Sequence, residues 1–219
     1  MSLPELRAIY GAGGCGRGIM PFARRAHASL HGQADRLVFI DDSTDASMLN
    51  GQRVMSRTGF LATPASSRHV GIGIANGKVR EKIALELEAL GVVPWTVVSD
   101  LAVIMDNVVL GPGALVSPFA MLTSNIQVGR HFHANIYSYI EHDCVVGDFV
   151  TLAPGAKVNG NIHLEDHVYV GSGAVIKQGR PGAPLVIGRG AVIGMGAVVT
   201  RSVPAGATVV GNPARPIQS

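Results

Sequence analysis

From Ala102 onward the chain repeats every six residues, and nothing else in it limits the possible folds so strongly. In sixes it reads AVIMDN, VVLGPG, ALVSPF, AMLTSN, IQVGRH, FHANIY, SYIEHD, CVVGDF, VTLAPG, AKVNGN, IHLEDH, VYVGSG and AVIKQG, then, after RPGAP, LVIGRG, AVIGMG and AVVTRS. The third member is aliphatic throughout, from Ile104 and Leu110 through Ile140, Val146 and Val158 to Ile193 and Val199, with Ala134 alone small. A six-residue unit cannot bury a side chain by itself, so successive units must stack. Three units per turn make a triangular prism, and these sixteen units predict about five coils of parallel β-helix. Gly, Asn, Asp and Ser fall where corners demand positive φ. The insert RPGAP should leave the prism as a short loop.

Residues 1–97 have a different period. "LRAIYGAGGCGRGIMPFARRAHASL" reads as an apolar strand, a glycine turn and a helix, and "RLVFIDD" as a second buried strand ending in two acids. "RHVGIGIAN" follows as a third strand. "GKVREKIALELEALG" places Val79, Ile83, Leu87 and Leu90 on one helical face and stops at Gly91, and "VPWTVVS" supplies a last short strand. Alternating strands and helices predict a small parallel sheet with Rossmann-like connections. Two domains are therefore expected, 1–97 and 98–219.

The 47% hydrophobic content is enough for a sizeable core, and the two cysteines, Cys15 and Cys144, are spaced neither as a metal knuckle nor as a disulfide framework. A reducing compartment follows, and with neither a leader pattern nor a run of about 20 apolar residues the expectation is a cytoplasmic protein without membrane insertion. A net charge of +3 from scattered cations argues against nucleic acid as the partner.

Residues on the six-residue period build the scaffold, so chemistry has to come from those that depart from it. His131, His133, His142, His163 and His167 are the conspicuous departures. They could converge on zinc, as in a β-helix lyase, or occupy corners and subunit contacts. No HxxxH pair lies on a helix, and no metal is expected. His142 stands apart because Glu141 and Asp143 flank it; a carboxylate on one ring nitrogen fixes the tautomer that a general base needs. Neighbouring strand residues point to opposite faces, so the His142–Asp143 pair requires a corner.

In "GAGGCGRG", Gly11, Gly13 and Gly16 fit GxGxxG between a strand and a helix, where exposed N–H groups attract phosphate. Asp41 and Asp42 end the next strand, at the distance where such folds bind a ribose or base edge. The half-domain is short for a dinucleotide, which makes a mononucleotide the expected ligand and NAD the alternative.

The order and spacing of "YGAGGCGRG", "VFIDD", "IANGKVREKI", "IEHDCVVGDF", "LAPGAKVNGN" and "VPAGATVVGNPARPI" resemble the hexapeptide-repeat sugar acyltransferases, of the sialic-acid O-acetyltransferase and nucleotide-aminosugar N-acetyltransferase type. The resemblance spans almost the whole chain. It implies a Rossmann-like domain for a nucleotide-linked amino sugar, held by Gly11, Gly13, Gly14, Asp41 and Asp42, followed by a left-handed β-helix. The β-helix, as a homotrimer, would bind acetyl-CoA between adjacent prisms in surface-glycan biosynthesis. It further implies His142 as base, Asp143 as its orienting acid, the Gly160 N–H as oxyanion donor and Asn135 at the acceptor site. Pantetheine would lie near Gly171, Gly173 and Ala197, with Arg189, Arg201 and Arg215 toward the CoA phosphates. Direct attack without an acyl-enzyme is implied. Relatives often carry histidine where this chain has Cys15 and Thr151, which bears on the acceptor. O-acylation is the near alternative; a zinc lyase or a non-catalytic nucleotide-sugar scaffold are the others.

Overall fold

Strand β1 (Leu6–Tyr10) is apolar along nearly its whole length and lies inside a parallel sheet, as its lack of alternation requires. The computed structural model describes residues 3–30 and 32–217. Its chain forms two compact units, Met1–Ser99 with Gly113–Leu115, and Asp100–Pro112 with Val116–Ser219.

In the first unit, α1 (Gly14–Ser29) follows β1 and leads to β2 (Leu37–Ile40). Then come β3 (Met48–Leu49), β4 (Gln52–Met55), α2 (Arg57–Ala62), β5 (Arg68–Ile72), α3 (Gly77–Glu88) and β6 (Val93–Pro94). The sheet order is β3-β4-β2-β1-β5-β6, parallel except for the β3–β4 hairpin. The core packs Ile19, Met20, Phe22 and Ala23 of α1 against Ile9, Leu37 and Phe39, with Trp95, Val97 and Leu115 closing it. Each such large side chain stabilises the fold by roughly 1.5–3 kcal/mol.

Two details depart from the sequence expectation. The β3–β4 hairpin and α2 fill residues with no predicted element, although Asn50 (φ 50°) and Gly51 (φ 73°) form the Asn-Gly turn that marks a two-residue hairpin. In α3 the buried positions are Arg80, Ala84 and Leu87, whereas Val79 and Leu90 are exposed. The helix is rotated relative to its apolar stripe because the Arg80 guanidinium is drawn inward, donating to the carbonyls of Ile74 at 2.7 Å and Ala75 at 3.1 Å. Gly91 ends the segment at φ 75°, as expected.

In the second unit, strand pairs such as Met121↔Tyr139↔Lys157 are offset by 18 residues, so three six-residue units make one turn. Across the insert the offset becomes 23, as in Leu164↔Ile187, and the extra residues form a small turn closed by the Arg180↔Ala183 bridge. Three sheets, parallel except for the last pair Val209↔Pro216, face inward with stacked Leu122, Ile140, Val158, Ile176 and Val199 on one and Val116, Leu152, Val170 and Ile193 on another, all essentially without solvent contact. The small Ala134 is buried, as is the large Phe132 two residues earlier. Ile104 and Leu110 open the stack and are not buried like the later members of their rows.

The corners form three columns of positive φ: Asn107, Asn125, Asp143 and Asn161; Phe119, Tyr137, Gly155, Gly173 and Gly196; and Gly113, His131, Phe149, His167, Gly190 and Gly206. Asn and Asp adopt this region more readily than other residues with a side chain.

Candidate functional site

The glycine loop and the strand ends form a cleft of about 560 Å³ lined by Tyr10, Gly11, Gly13, Gly14, Cys15, Asp41, Asp42, Ser43, Gly73 and Ile74. It lies at the carboxyl ends of β1, β2 and β5, where the strand order turns back about β1 and the connections diverge. Gly11 turns the chain at φ 93°. Gly16 admits no side chain, since a Cβ would come 1.8 Å from the Gly11 carbonyl oxygen. By contrast, Gly13 and Gly14 face open space, and the N-cap Gly13 has no side-chain hydrogen bond. The sixteen-residue α1 therefore points uncapped N–H groups and its positive dipole end into the cleft.

Of the two acids, Asp41 is committed to building this loop. Its Oδ2 accepts from the Ala12 N–H at 2.7 Å, and its Oδ1 accepts from the Ser43 N–H at 2.9 Å and the Ser43 hydroxyl at 2.5 Å. Burial pushes this carboxyl up, but the bonds from Ser43 and Ala12 together outweigh it and hold it below the ordinary value. Asp42 accepts from the Arg57 N–H at 2.8 Å and lies 3.4 Å from the Tyr10 hydroxyl, with its carboxylate otherwise facing the cleft. Both acids line the cleft, Asp41 with its oxygens engaged by the loop and Asp42 with a more open carboxylate. Burial raises the Cys15 thiol, which offers no activated nucleophile. Arg80, which the apolar stripe of α3 does not reveal, donates to the Ile74 carbonyl and holds that wall of the cleft from behind.

On the β-helix, His142 and Asp143 meet at a corner. Asp143 turns at φ 58°, and its Oδ2 accepts from His142 Nδ1 at 2.8 Å. The positive-φ corner breaks the alternation of an extended strand and brings the adjacent side chains of His142 and Asp143 together. The bonds from His142 and then Asn125 hold the Asp143 carboxyl below its usual range. With Nδ1 bound to an anion, Nε2 of the neutral ring is the open basic nitrogen.

Gly160 lies one coil on, directly over that ring. A Cβ there would fall 2.5 Å from His142 Cε1 and 2.6 Å from Nε2, so only glycine allows the imidazole its place. The Gly160 carbonyl accepts from Gly179, whereas its N–H takes no acceptor among the described residues. Cys144 lies beneath the corner, its thiol directed at the carbonyls of Asn159 and His142 and pushed up to about 11 by burial. It is therefore a thiol rather than a thiolate near neutrality.

The remaining expected residues scatter. Asn135 donates to the Leu152 carbonyl at 2.8 Å and stands one prism edge before His142. Gly173 forms a corner at φ 66°, and Gly171 is required by packing, since a Cβ would lie 2.6 Å from the Ile193 carbonyl. Ala197 is fully buried. Arg201 and Arg215 line one cavity of about 160 Å³ near the last coil. Arg189 is elsewhere, paired with Asp166 at 2.7 Å. His131 and His167 sandwich Phe149 with ring centroids 5.2 and 5.5 Å away. Among the described residues no group of three potential ligands converges as a metal site.

Against this geometry the likeness to known proteins is specific. The chain is 48% identical over 211 residues, 96% of each sequence, to GDP-perosamine N-acetyltransferase of Escherichia coli O157:H7. The chain belongs to the hexapeptide-repeat sugar acyltransferase family. Residues 8–87 match the family described as the PglD N-terminal domain. WeeI from Acinetobacter baumannii AYE superposes with a TM-score of 0.94 at 54% identity, covering 97% of this chain and 100% of that one. The acetyltransferase domain of PglB from Neisseria gonorrhoeae FA1090, solved with acetyl coenzyme A, gives 0.86 at 27% identity, covering 99% and 100%. Within this family the chain is an acyltransferase enzyme whose fold is a small Rossmann-like domain followed by a left-handed parallel β-helix.

Proposed function

We propose that the protein transfers an acetyl group from acetyl-CoA to the amine of a nucleotide-linked amino sugar in surface-glycan biosynthesis, with His142 as general base. The observation that carries this reading is the His142 ring, bound at Nδ1 by Asp143 and lying beside the open N–H of Gly160. The cleft at α1 holds the nucleotide, its diphosphate on the N–H groups of Gly14 and Cys15 and its ribose or base toward Asp42. The neutral amine attacks the thioester carbonyl, and His142 Nε2 takes the amine proton as the C–N bond forms. The Gly160 N–H donates to the oxyanion. Collapse breaks the C–S bond, and the proton on His142 passes to the departing thiolate, giving amide and free CoA. Direct transfer agrees with Cys144 being held as an un-ionised thiol.

N-acetylation is favoured over O-acetylation by the activity named for the relative at 48% identity. GDP-perosamine, the acceptor in that name, is the first to test. The division of labour we propose assigns nucleotide-sugar binding to 1–97 and acyl transfer to 98–219. Arg189, Arg201 and Arg215 would face the CoA phosphates, with pantetheine along Gly171, Gly173 and Ala197 and the donor lying between prisms of a homotrimer. The protein would act in the cytoplasm; among the described residues no helix is long and apolar enough to cross a membrane. The test is release of free thiol from acetyl-CoA in the presence of GDP-perosamine, with mass spectrometry of the product. An ester product, or no thiol release across a panel of nucleotide-linked amino sugars, would sink the reading.

A further inference from the structure

The column of corners beneath Asp143 differs from the other two. Those each contain three glycines, whereas this one has none and presents Asn107, Asn125, Asp143 and Asn161 in successive turns. Conformational tolerance alone would accept glycine there. The side chains do more than tolerate the corner: Asn107 Nδ2 donates to Asn125 Oδ1 at 3.2 Å, and Asn125 Nδ2 donates to Asp143 Oδ1 at 3.1 Å. The other oxygen of the same carboxylate accepts from His142 Nδ1.

An ionised carboxylate only accepts, which gives this ladder a direction. Asn125 must turn its amide nitrogen to Asp143, so its oxygen faces Asn107, which must turn its nitrogen up in the same way. The carboxylate is then gripped at one oxygen by an amide fixed to the rigid coil below, and its second oxygen is left aimed at His142 Nδ1. A carboxylate on an exposed corner without that grip would rotate about its side-chain bonds. We infer that Asn125, backed by Asn107, is a positioning residue for the reaction: an amide ladder along one prism edge aims the Asp143 carboxylate and so keeps the proton of His142 on Nδ1 and Nε2 free as the base. This rests on the proposed role of His142, and the experiment below separates the two.

Asn125→Gly is the informative change, because glycine keeps the positive-φ corner (Asn125 φ 56°) and deletes only the amide. In the full chain labelled with 15N-histidine, long-range 1H–15N correlation reads the tautomer of His142, assigned by the signals missing in His142→Ala. The expected result is a neutral ring protonated chiefly at Nδ1 in the natural sequence, with that share falling at least about twofold in Asn125→Gly. In parallel, kcat should fall about tenfold with KM for both substrates within about twofold, the low end of what lost support of a catalytic imidazole costs. An unchanged tautomer together with kcat within about twofold overturns the inference.

Asn125→Asp carries the test if the glycine variant does not fold. The introduced carboxyl, when protonated, still donates to Asp143; when ionised, it repels Asp143, so turnover relative to the natural sequence should decline as pH rises through the carboxylate range. A deficit independent of pH overturns the ladder. Absence of acetyl transfer by the unaltered protein would defeat the proposed function, while the tautomer measurement would still decide the role of Asn125.

Discussion

The cleft at α1 and the corner at His142 present their chemistry in opposite ways. In the cleft the acidic side chain nearest the loop, Asp41, is consumed by Ala12 and Ser43, and what remains open is backbone: the first N–H groups of a helix that no side chain caps. On the β-helix the backbone is largely consumed by coil-to-coil hydrogen bonds, and the site offers side chain, His142 with Asp143, beside the N–H of Gly160, which takes no acceptor among the described residues. A backbone site depends on loop shape and tolerates loss of most individual side chains. A side-chain site on a rigid prism fails with one residue.

His142→Ala tests the second half of that contrast most severely. Turnover is expected to fall by about 10³-fold, within the range for loss of a general base, with the circular dichroism spectrum and KM for the nucleotide sugar little changed. A fall of less than about tenfold would break the contrast. Gly160→Ala should come next, with kcat reduced about 10²-fold, because its Cβ takes the space of the His142 ring; an unaltered kcat would mean that the ring moves freely. Asp143→Asn keeps the shape and removes the anion, and a loss of about 10- to 100-fold in kcat is expected, read from steady-state kinetics.

In the cleft, Asp41→Asn is expected to act through the loop, raising KM for the nucleotide sugar several-fold with kcat nearly intact. Because the folded Asp41 carboxyl lies below its ordinary value, it stabilises the native state above the unfolded pKa of about 4, and that contribution is lost as pH falls through the lower folded value. Denaturation of the variant and the natural protein should therefore differ at pH 7 and converge in strong acid. The smallest effect belongs to the Arg57–Glu86 pair, both partly exposed: removing either side chain should change stability by less than about 1 kcal/mol in urea titrations.

Expectation and structure part company at particular residues. The prism was readable because its aliphatic row repeats with one strict period, and the His142–Asp143 pair because it sets charge between Ile140 and Val146, which keep that row unbroken. The hairpin at Asn50–Gly51 had a turn signal but strands of only two and four residues, too short for alternation to register. Arg80 was hidden because a helical stripe is read from apolar residues, and a buried cation satisfied by the Ile74 and Ala75 carbonyls leaves no hydrophobic trace. Arg189, expected with Arg201 and Arg215 toward the CoA phosphates, is paired with Asp166 across the coils, a contact that residues 23 apart in sequence do not announce.

By itself, the sequence determined which residues stack, since a six-residue unit with one aliphatic member has no way to bury it except against its neighbours, and it determined where the chain could turn. Only the tertiary structure decided what those turns bring together. Residues 18 apart, such as His142 and Gly160 or Asn125 and Asp143, become neighbours through the pitch of the coil. Likewise, whether an acid faces ligand or loop depends on hydrogen bonds between segments, as Asp41 to Ala12 shows. Periodicity is a local property of the chain, but the direction of a carboxylate is set by partners that only folding supplies.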